Sequence, residues 1–168
     1  EIKKISQIYI VACGSAYHVG VAAQYVMEDL ARIPVRVELA SEFRYRNPIL
    51  DPKGLVIIIS QSGETADSLA ALRESKKQGV KTLGIVNVIG SSIAREADNV
   101  FYTLAGPEIA VATTKAYSTQ LIAAYVLALQ FAKIRSEITE EQCDAYVKEL
   151  KTLPEKIKRI LEDKERLQ

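Results

Sequence analysis

The sequence predicts an α/β fold: a doubly wound, five-stranded parallel sheet in flavodoxin-like order 2-1-3-4-5, covered by helices as a three-layer αβα sandwich. Three observations predict it. Short β-branched runs alternate with helical patterns through the first two-thirds of the chain. Several runs are apolar throughout, as strands covered on both faces are. Helix stop signals close the intervening segments.

The first strand is read at residues 8–12, and a helix rich in Ala, Val and Leu follows over 17–32, stopped by Pro34. The second strand takes residues 35–39. The third, Leu55-Val56-Ile57-Ile58-Ile59, is the clearest and belongs at the sheet centre. A helix over 66–78 places Leu69, Ala70 and Leu72 inward and ends at Gly79, a natural terminator. The fourth strand is read at 82–86, a short helix at 91–97, the fifth strand at 100–103 and a long helix at 114–134. Beyond it, Thr139-Glu140-Glu141-Gln142 matches a capping box opening a further helix, with Tyr146, Val147, Leu150 and Leu153 at helical spacing. Pro154 is expected to break or restart that helix before Ile157, Ile160 and Leu161. Residues 1–135 are therefore read as the α/β domain and 136–168 as an amphipathic helical extension.

Composition narrows the function classes. At 168 residues the chain suits one domain with a real core. A net charge of +1, with Lys and Arg spread along the chain, gives no field to recruit nucleic acid or an anionic membrane. The longest apolar run, 121–132, is interrupted by Gln130 and is too short to span a bilayer. It suits a buried helix, and its burial demand leads us to expect self-association as a twofold dimer. Cys13 and Cys143 lie far apart with no metal-ligand spacing, which suggests two free thiols in a reducing, cytoplasmic setting. The chain opens Glu-Ile-Lys-Lys without an apolar signal core or an initiator Met, so it is read as a non-exported fragment of a longer polypeptide.

In the 2-1-3-4-5 order the topological switch lies between the first and third strands, where ligands bind at the carboxyl ends. The loops after Ala12 and Ile59 should line a site. They read Cys13-Gly14-Ser15-Ala16-Tyr17 and Ser60-Gln61-Ser62-Gly63-Glu64-Thr65. A helix start offers free N–H groups and partial positive charge to a phosphate. Gly63 allows close backbone approach, and the hydroxyls of Ser60, Ser62 and Thr65 can donate to phosphate oxygens. Capping is the simpler explanation of any single serine here. For the whole loop at the switch point, phosphate binding is the better one. The loop is not a Walker A motif, and the chain has neither GxGxxG nor a magnesium cluster. A monophosphate ester held by dipoles and hydroxyls, with no metal or cofactor, is the expected ligand. A third segment, residues 106–115, carries Thr113-Thr114 at another helix start, with Lys115 as a nearby cation or a solvated side chain.

The stretch from Ser60 to Asp67 is similar to the signature loop of the sugar isomerase (SIS) family. Together with residues 40–46, 90–96 and 108–120, Ala12-Cys13-Gly14 and Tyr17-His18, it resembles the glutamine–fructose-6-phosphate aminotransferase (glucosamine-6-phosphate synthase) family from about Ile8 to Leu129. That resemblance implies a three-part enzyme, with an amino-terminal glutaminase and two SIS domains that make glucosamine 6-phosphate from fructose 6-phosphate. This chain resembles the first SIS domain, and residues 136–168 would lead to the second. The implied substrate contacts are Ser15, Ser60, Gln61, Ser62 and Thr65, with Val111 and Thr113 near the sugar and Gly14 and Gly63 as the loop glycines. The family commonly has Thr-Ser at Ser15-Ala16, so the hydroxyl expected at position 16 is absent, a difference worth about 1 kcal/mol if nothing replaces it.

The resemblance places the isomerisation base and the ring-opening histidine in the second SIS domain and the amine-handling lysine in the carboxyl-terminal tail. A fragment without them is expected to be inactive alone, with no catalytic residue of its own. Glu64 is then a first-turn glutamate favoured by the helix dipole rather than a base. His18 is a surface or capping residue, and Cys13 a small buried one. Two other readings compete. A regulatory SIS module sensing a phosphosugar would usually accompany a helix-turn-helix domain, and no basic recognition helix is present. A flavin carrier would carry its phosphate loop after the first strand, not the third.

Overall fold

The structure, a computed structural model, describes residues 1–109 and 113–162. After a 3-10 turn at Ile2–Lys4, the elements run β1 (Ile8–Ala12), α1 (Gly14–Ala31), β2 (Val35–Leu39), α2 (Ala40–Phe43), β3 (Leu55–Ser60), α3 (Ala66–Lys77), β4 (Lys81–Val86), α4 (Ser92–Glu96), β5 (Asn99–Tyr102), α5 (Lys115–Arg135) and α6 (Glu140–Glu162). All five strands are parallel, in the order β2-β1-β3-β4-β5. This is the predicted topology, with β3 at the centre.

Strand alternation divides the core in two. Ile8, Ile10, Ala12, Ile57, Ile59 and Ile85 face one layer, where α1 supplies Val19, Ala23 and Met27 and α5 supplies Ala124, Leu127 and Phe131. Tyr9, Val11, Val56, Ile58 and Val86 face the other, against Phe43 of α2, Ala71 and Leu72 of α3, and Ile93 of α4. Every residue of β1 and β3 is buried, which is why their sequences are apolar without alternation. The edge strands β2 and β5 are partly exposed and read as mixed. Small residues let α1 lie close on the sheet: a Cβ on Gly20 would stand 2.8 Å from Ile10 Cγ2 and 3.0 Å from Val37 Cγ1.

Some boundaries depart from the sequence reading. Helix α1 begins at Gly14 rather than Tyr17, because the chain turns into the helix directly as it leaves β1; Gly14 takes a left-handed φ of 55° that a larger residue adopts only under strain. The four-residue α2 has no periodicity long enough to read and is held by buried Phe43. Helix α5 ends at Arg135 with left-handed Ser136, whose neighbour Glu137 donates its N–H back to the Ala132 carbonyl, a closing turn made without glycine.

The capping box is formed: Gln142 N–H donates to Thr139 Oγ1 at 3.1 Å, and Thr139 N–H donates to Gln142 Oε1 at 2.9 Å. Contrary to expectation, α6 runs through Pro154 without a break. The surrounding turn is largely exposed, so water can serve a carbonyl that loses its intrahelical donor, and the Thr152 hydroxyl takes the Glu149 carbonyl at 2.7 Å. Cys143 seats the start of α6 in a buried position, and both cysteines are free thiols. Among the described residues no helix is long and apolar enough to cross a membrane.

Candidate functional site

The carboxyl ends of β1 and β3 open into a cavity of about 330 Å³. Its wall comprises Cys13, Ser15 and Ala16 from the first crossover, residues 59–62 and Thr65 from the third strand and its loop, and Glu108, Thr113 and Gln120 from the approach to α5 and its second turn. This is the predicted switch point.

Two helices begin here without a side-chain cap. Cys13 precedes α1 and Thr65 precedes α3, and neither side chain bonds the turn it opens. The first N–H groups of each helix have no intrahelical acceptor, so positive potential from both starts reaches the cavity. Capping therefore does not account for the hydroxyls. Thr65 Oγ1 lies 3.2 Å from Ser60 Oγ instead of folding onto its own helix. Ser60 is buried and also accepts the Gly63 N–H at 3.1 Å. Ser62 Oγ accepts the Glu64 N–H at 3.2 Å, which leaves its own proton to donate outward. Ser15 donates to Thr113 Oγ1 at 3.2 Å and joins the start of α1 to the approach to α5.

Gly63 and Gly14 do not line the wall; they shape the backbone. Gly63 has φ 67° and is buried against Ser91. Gln61 lines the wall with its Oε1 buried and, among the described residues, unpartnered. Ala16, where the resemblance implies a hydroxyl, packs into the α1–sheet core and presents no polar atom. Val111 lies outside the described residues.

Glu108, not singled out from the sequence, is the charged residue in the wall. It accepts the Thr114 hydroxyl at 2.7 Å and the Ala116 N–H at 3.0 Å, capping α5 in place of Thr114, whose own side chain does not. The Thr114 hydroxyl, the Ala116 and Thr114 amides and the nearby Lys115 charge hold its carboxyl below the usual carboxylate range. Lys115 itself is exposed and lies outside the wall.

The remaining candidates fall elsewhere. Glu64 Oε1 accepts the Ser92 N–H at 2.8 Å, so its helix-terminus role is played at α4 rather than α3. His18 is exposed, its ring edge-on to Tyr17. Half-buried Cys13 receives the Ser68 hydroxyl at 3.8 Å. No group of three or more His, Cys, Asp or Glu among the described residues stands ready to hold a metal ion.

A second concavity of about 300 Å³ between α1, α5 and α6 is lined chiefly by Val26, Leu30, Tyr125, Leu129, Leu150 and Leu153. It lacks the convergent polar groups of the first.

Residues 1–130 match the family model of the SIS domain. The chain is similar to the glutamine–fructose-6-phosphate aminotransferase (isomerizing) of Clostridium tetani, 56% identical over 165 residues, covering 98% of this chain and 27% of that protein. The enzyme of the same name from Methanosarcina mazei is 48% identical, again covering 98% and 27%. The chain thus spans about a quarter of the length of these curated relatives. Among solved structures it resembles the C-terminal domain of glucosamine-fructose-6-phosphate aminotransferase from Francisella tularensis, with 47% identity, TM-score 0.88 and coverage of 90% of this chain and 43% of that one. It also resembles glucosamine-6-phosphate deaminase from Thermotoga maritima, with 27% identity, TM-score 0.73 and coverage of 84% and 43%.

Proposed function

The chain belongs to the SIS domain family, and from that membership we propose that it binds a hexose 6-phosphate as the first of two SIS domains in the isomerase part of a glutamine–fructose-6-phosphate aminotransferase. Fructose 6-phosphate and glucosamine 6-phosphate are the ligands. The observation that carries this reading is the pair of uncapped helix starts meeting a hydroxyl-lined wall at the β1/β3 switch. A phosphate ester needs hydrogen-bond donors and positive potential, and this wall supplies both without a lysine or arginine among its described residues. Ser62 donates its free proton to the phosphate, and Ser15, Ser60 and Thr65 turn their hydroxyls from their partners within the chain to do the same. Gln61 and the α1 and α3 amides flank it, and Val111 and Thr113 meet the sugar. Gly14 and Gly63 hold the backbone that makes this possible.

The chain's part is binding and orientation. Moving a proton between adjacent sugar carbons needs a base within hydrogen-bond reach and with affinity for that proton. Glu108 is the carboxylate in the wall, but its oxygens are engaged by Thr114 and Ala116 and its proton affinity is lowered. The resemblance to the aminotransferase family puts the base, the ring-opening histidine and the glutaminase in other parts of a longer protein. Residues 1–135 form the SIS domain, and residues 136–168 lead towards the second. The share of its relatives that this chain spans supports that arrangement. The assembly is cytoplasmic, in keeping with two free thiols. It is a twofold dimer, in keeping with apolar Val126 and Tyr25 exposed on neighbouring helices; a one-chain mass by light scattering would contradict the dimer.

Calorimetry with fructose 6-phosphate tests the binding site. Saturable binding that falls at least tenfold in the Ser62→Ala, Thr65→Ala double variant is expected, from two lost hydrogen bonds to a charged group at about 1.5–3 kcal/mol each. Equal affinity in both proteins would place the phosphate elsewhere.

A further inference from the structure

Gln120 sits in the second turn of α5 with only 2% of its surface exposed, yet no donor among the described residues reaches its Oε1. Buried polar atoms in folded proteins are almost always paired, so an orphan amide oxygen calls for a reason. Packing does not supply one. The same helix continues with Ala123 and Ala124, buried in an apolar layer where leucine would fill the volume without an unpaired oxygen. The side chain also lines the cavity that holds the hydroxyl loop.

The chemistry of the orphan atom indicates what would satisfy it. A phosphate ester near neutral pH presents acceptor oxygens, and an amide oxygen is itself an acceptor. The Ser60–Thr65 loop supplies donors, which suits the phosphate; Gln120 Oε1 suits a ligand group that donates. On the reading proposed above, the ligand's hydroxyls and amine lie on its carbon chain. We infer that Gln120 is a specificity-determining residue that reads the sugar: its Oε1 accepts a hydrogen bond from a hydroxyl or amino group of the ligand, and the pairing absent from the chain alone is completed on binding. This inference rests on the hexose-phosphate reading and adds to it the residue that separates a sugar phosphate from phosphate itself. It also explains a buried glutamine that weakens the empty fold slightly.

The experiment uses the full chain with Gln120→Leu, and with Gln120→Met as an unbranched second variant should leucine pack poorly. Fructose 6-phosphate is titrated by calorimetry and inorganic phosphate by phosphorus NMR, and each protein is melted without ligand. The expected result is about a tenfold loss of fructose 6-phosphate affinity, inorganic phosphate affinity within twofold of wild type, and a ligand-free melting temperature equal to or above wild type. Equal losses for both ligands would overturn the inference, because Gln120 would then serve the phosphate or merely shape the wall. A lower ligand-free melting temperature in both variants would also overturn it, by showing that the oxygen is paired within the chain. Wild-type binding of fructose 6-phosphate that neither variant weakens would sink this inference alone. No binding to the wild type would sink the hexose-phosphate reading first.

Discussion

At the residue scale, the tightest constraint in the site is Gly63. Its φ of 67° is strained for any residue with a side chain, and an added Cβ would lie 2.6 Å from Ser91 Cβ and closer still to Ser91 Oγ. These are separable costs: backbone strain of about 1–3 kcal/mol and overpacking of about 1–3 kcal/mol. Gly63→Ala is expected to lower stability by about 2–6 kcal/mol in urea unfolding and to distort the loop. Ser91→Gly alone should cost little, since Ser91 Oγ is buried without a partner among the described residues and the side chain does not cap α4. Combining the two should recover the overpacking cost and leave the backbone cost; strict additivity would show that the two residues do not collide. The hydroxyl loop was legible because three hydroxyls and a glycine stand together in six residues after a buried strand. Glu108 and Gln120 were not. Each is ordinary in its local sequence and gains meaning only when α5 comes to rest beside the ends of β1 and β3.

At the scale of elements, the apolar strands were the most legible, because burial on both faces leaves a signal that survives without alternation. Of the two edge strands, β2 falls at the residues read for it, while β5, where exposure dilutes the signal, begins and ends one residue earlier than read. The start of α1 was read three residues late, since Gly14-Ser15-Ala16 has the composition of a loop and becomes helical because β1 delivers the chain there. The cap of α5 shows what local reading misses. Thr113 and Thr114 sit at the right place, but the cap comes from Glu108, six and eight residues upstream of the groups it binds. Its carboxyl titrates lower folded than unfolded, so its contribution is present above the ordinary carboxyl pKa and is lost as pH falls through the folded value. Melting curves should therefore show Glu108→Gln less stable than wild type at pH 7. The difference should shrink as pH drops below about 4. A constant gap from pH 7 to pH 3 would mean that the ionised carboxylate does not stabilise the α5 terminus.

At the scale of the whole molecule, the architecture sets how charge enters binding. The chain carries a net charge of only +1, and among the described residues the cavity wall contains no lysine or arginine. Attraction for a phosphate must come from hydroxyls and from the starts of α1 and α3, whose dipoles are fixed by the sheet that orients the helices. Such groups act over a turn of helix and within a concave wall, where mobile ions compete less than they do for exposed ion pairs. A site built on surface lysines would weaken steeply with salt; this one should not. Fructose 6-phosphate affinity is expected to change by less than about threefold between 0.05 and 0.5 M potassium chloride. The corresponding stabilisation against unfolding, about 2.7 kcal/mol at a ligand concentration one hundred times Kd, should persist at the higher salt. A loss of tenfold or more would show that long-range charge holds the phosphate, and would move attention from the uncapped helix starts to cations beyond the wall.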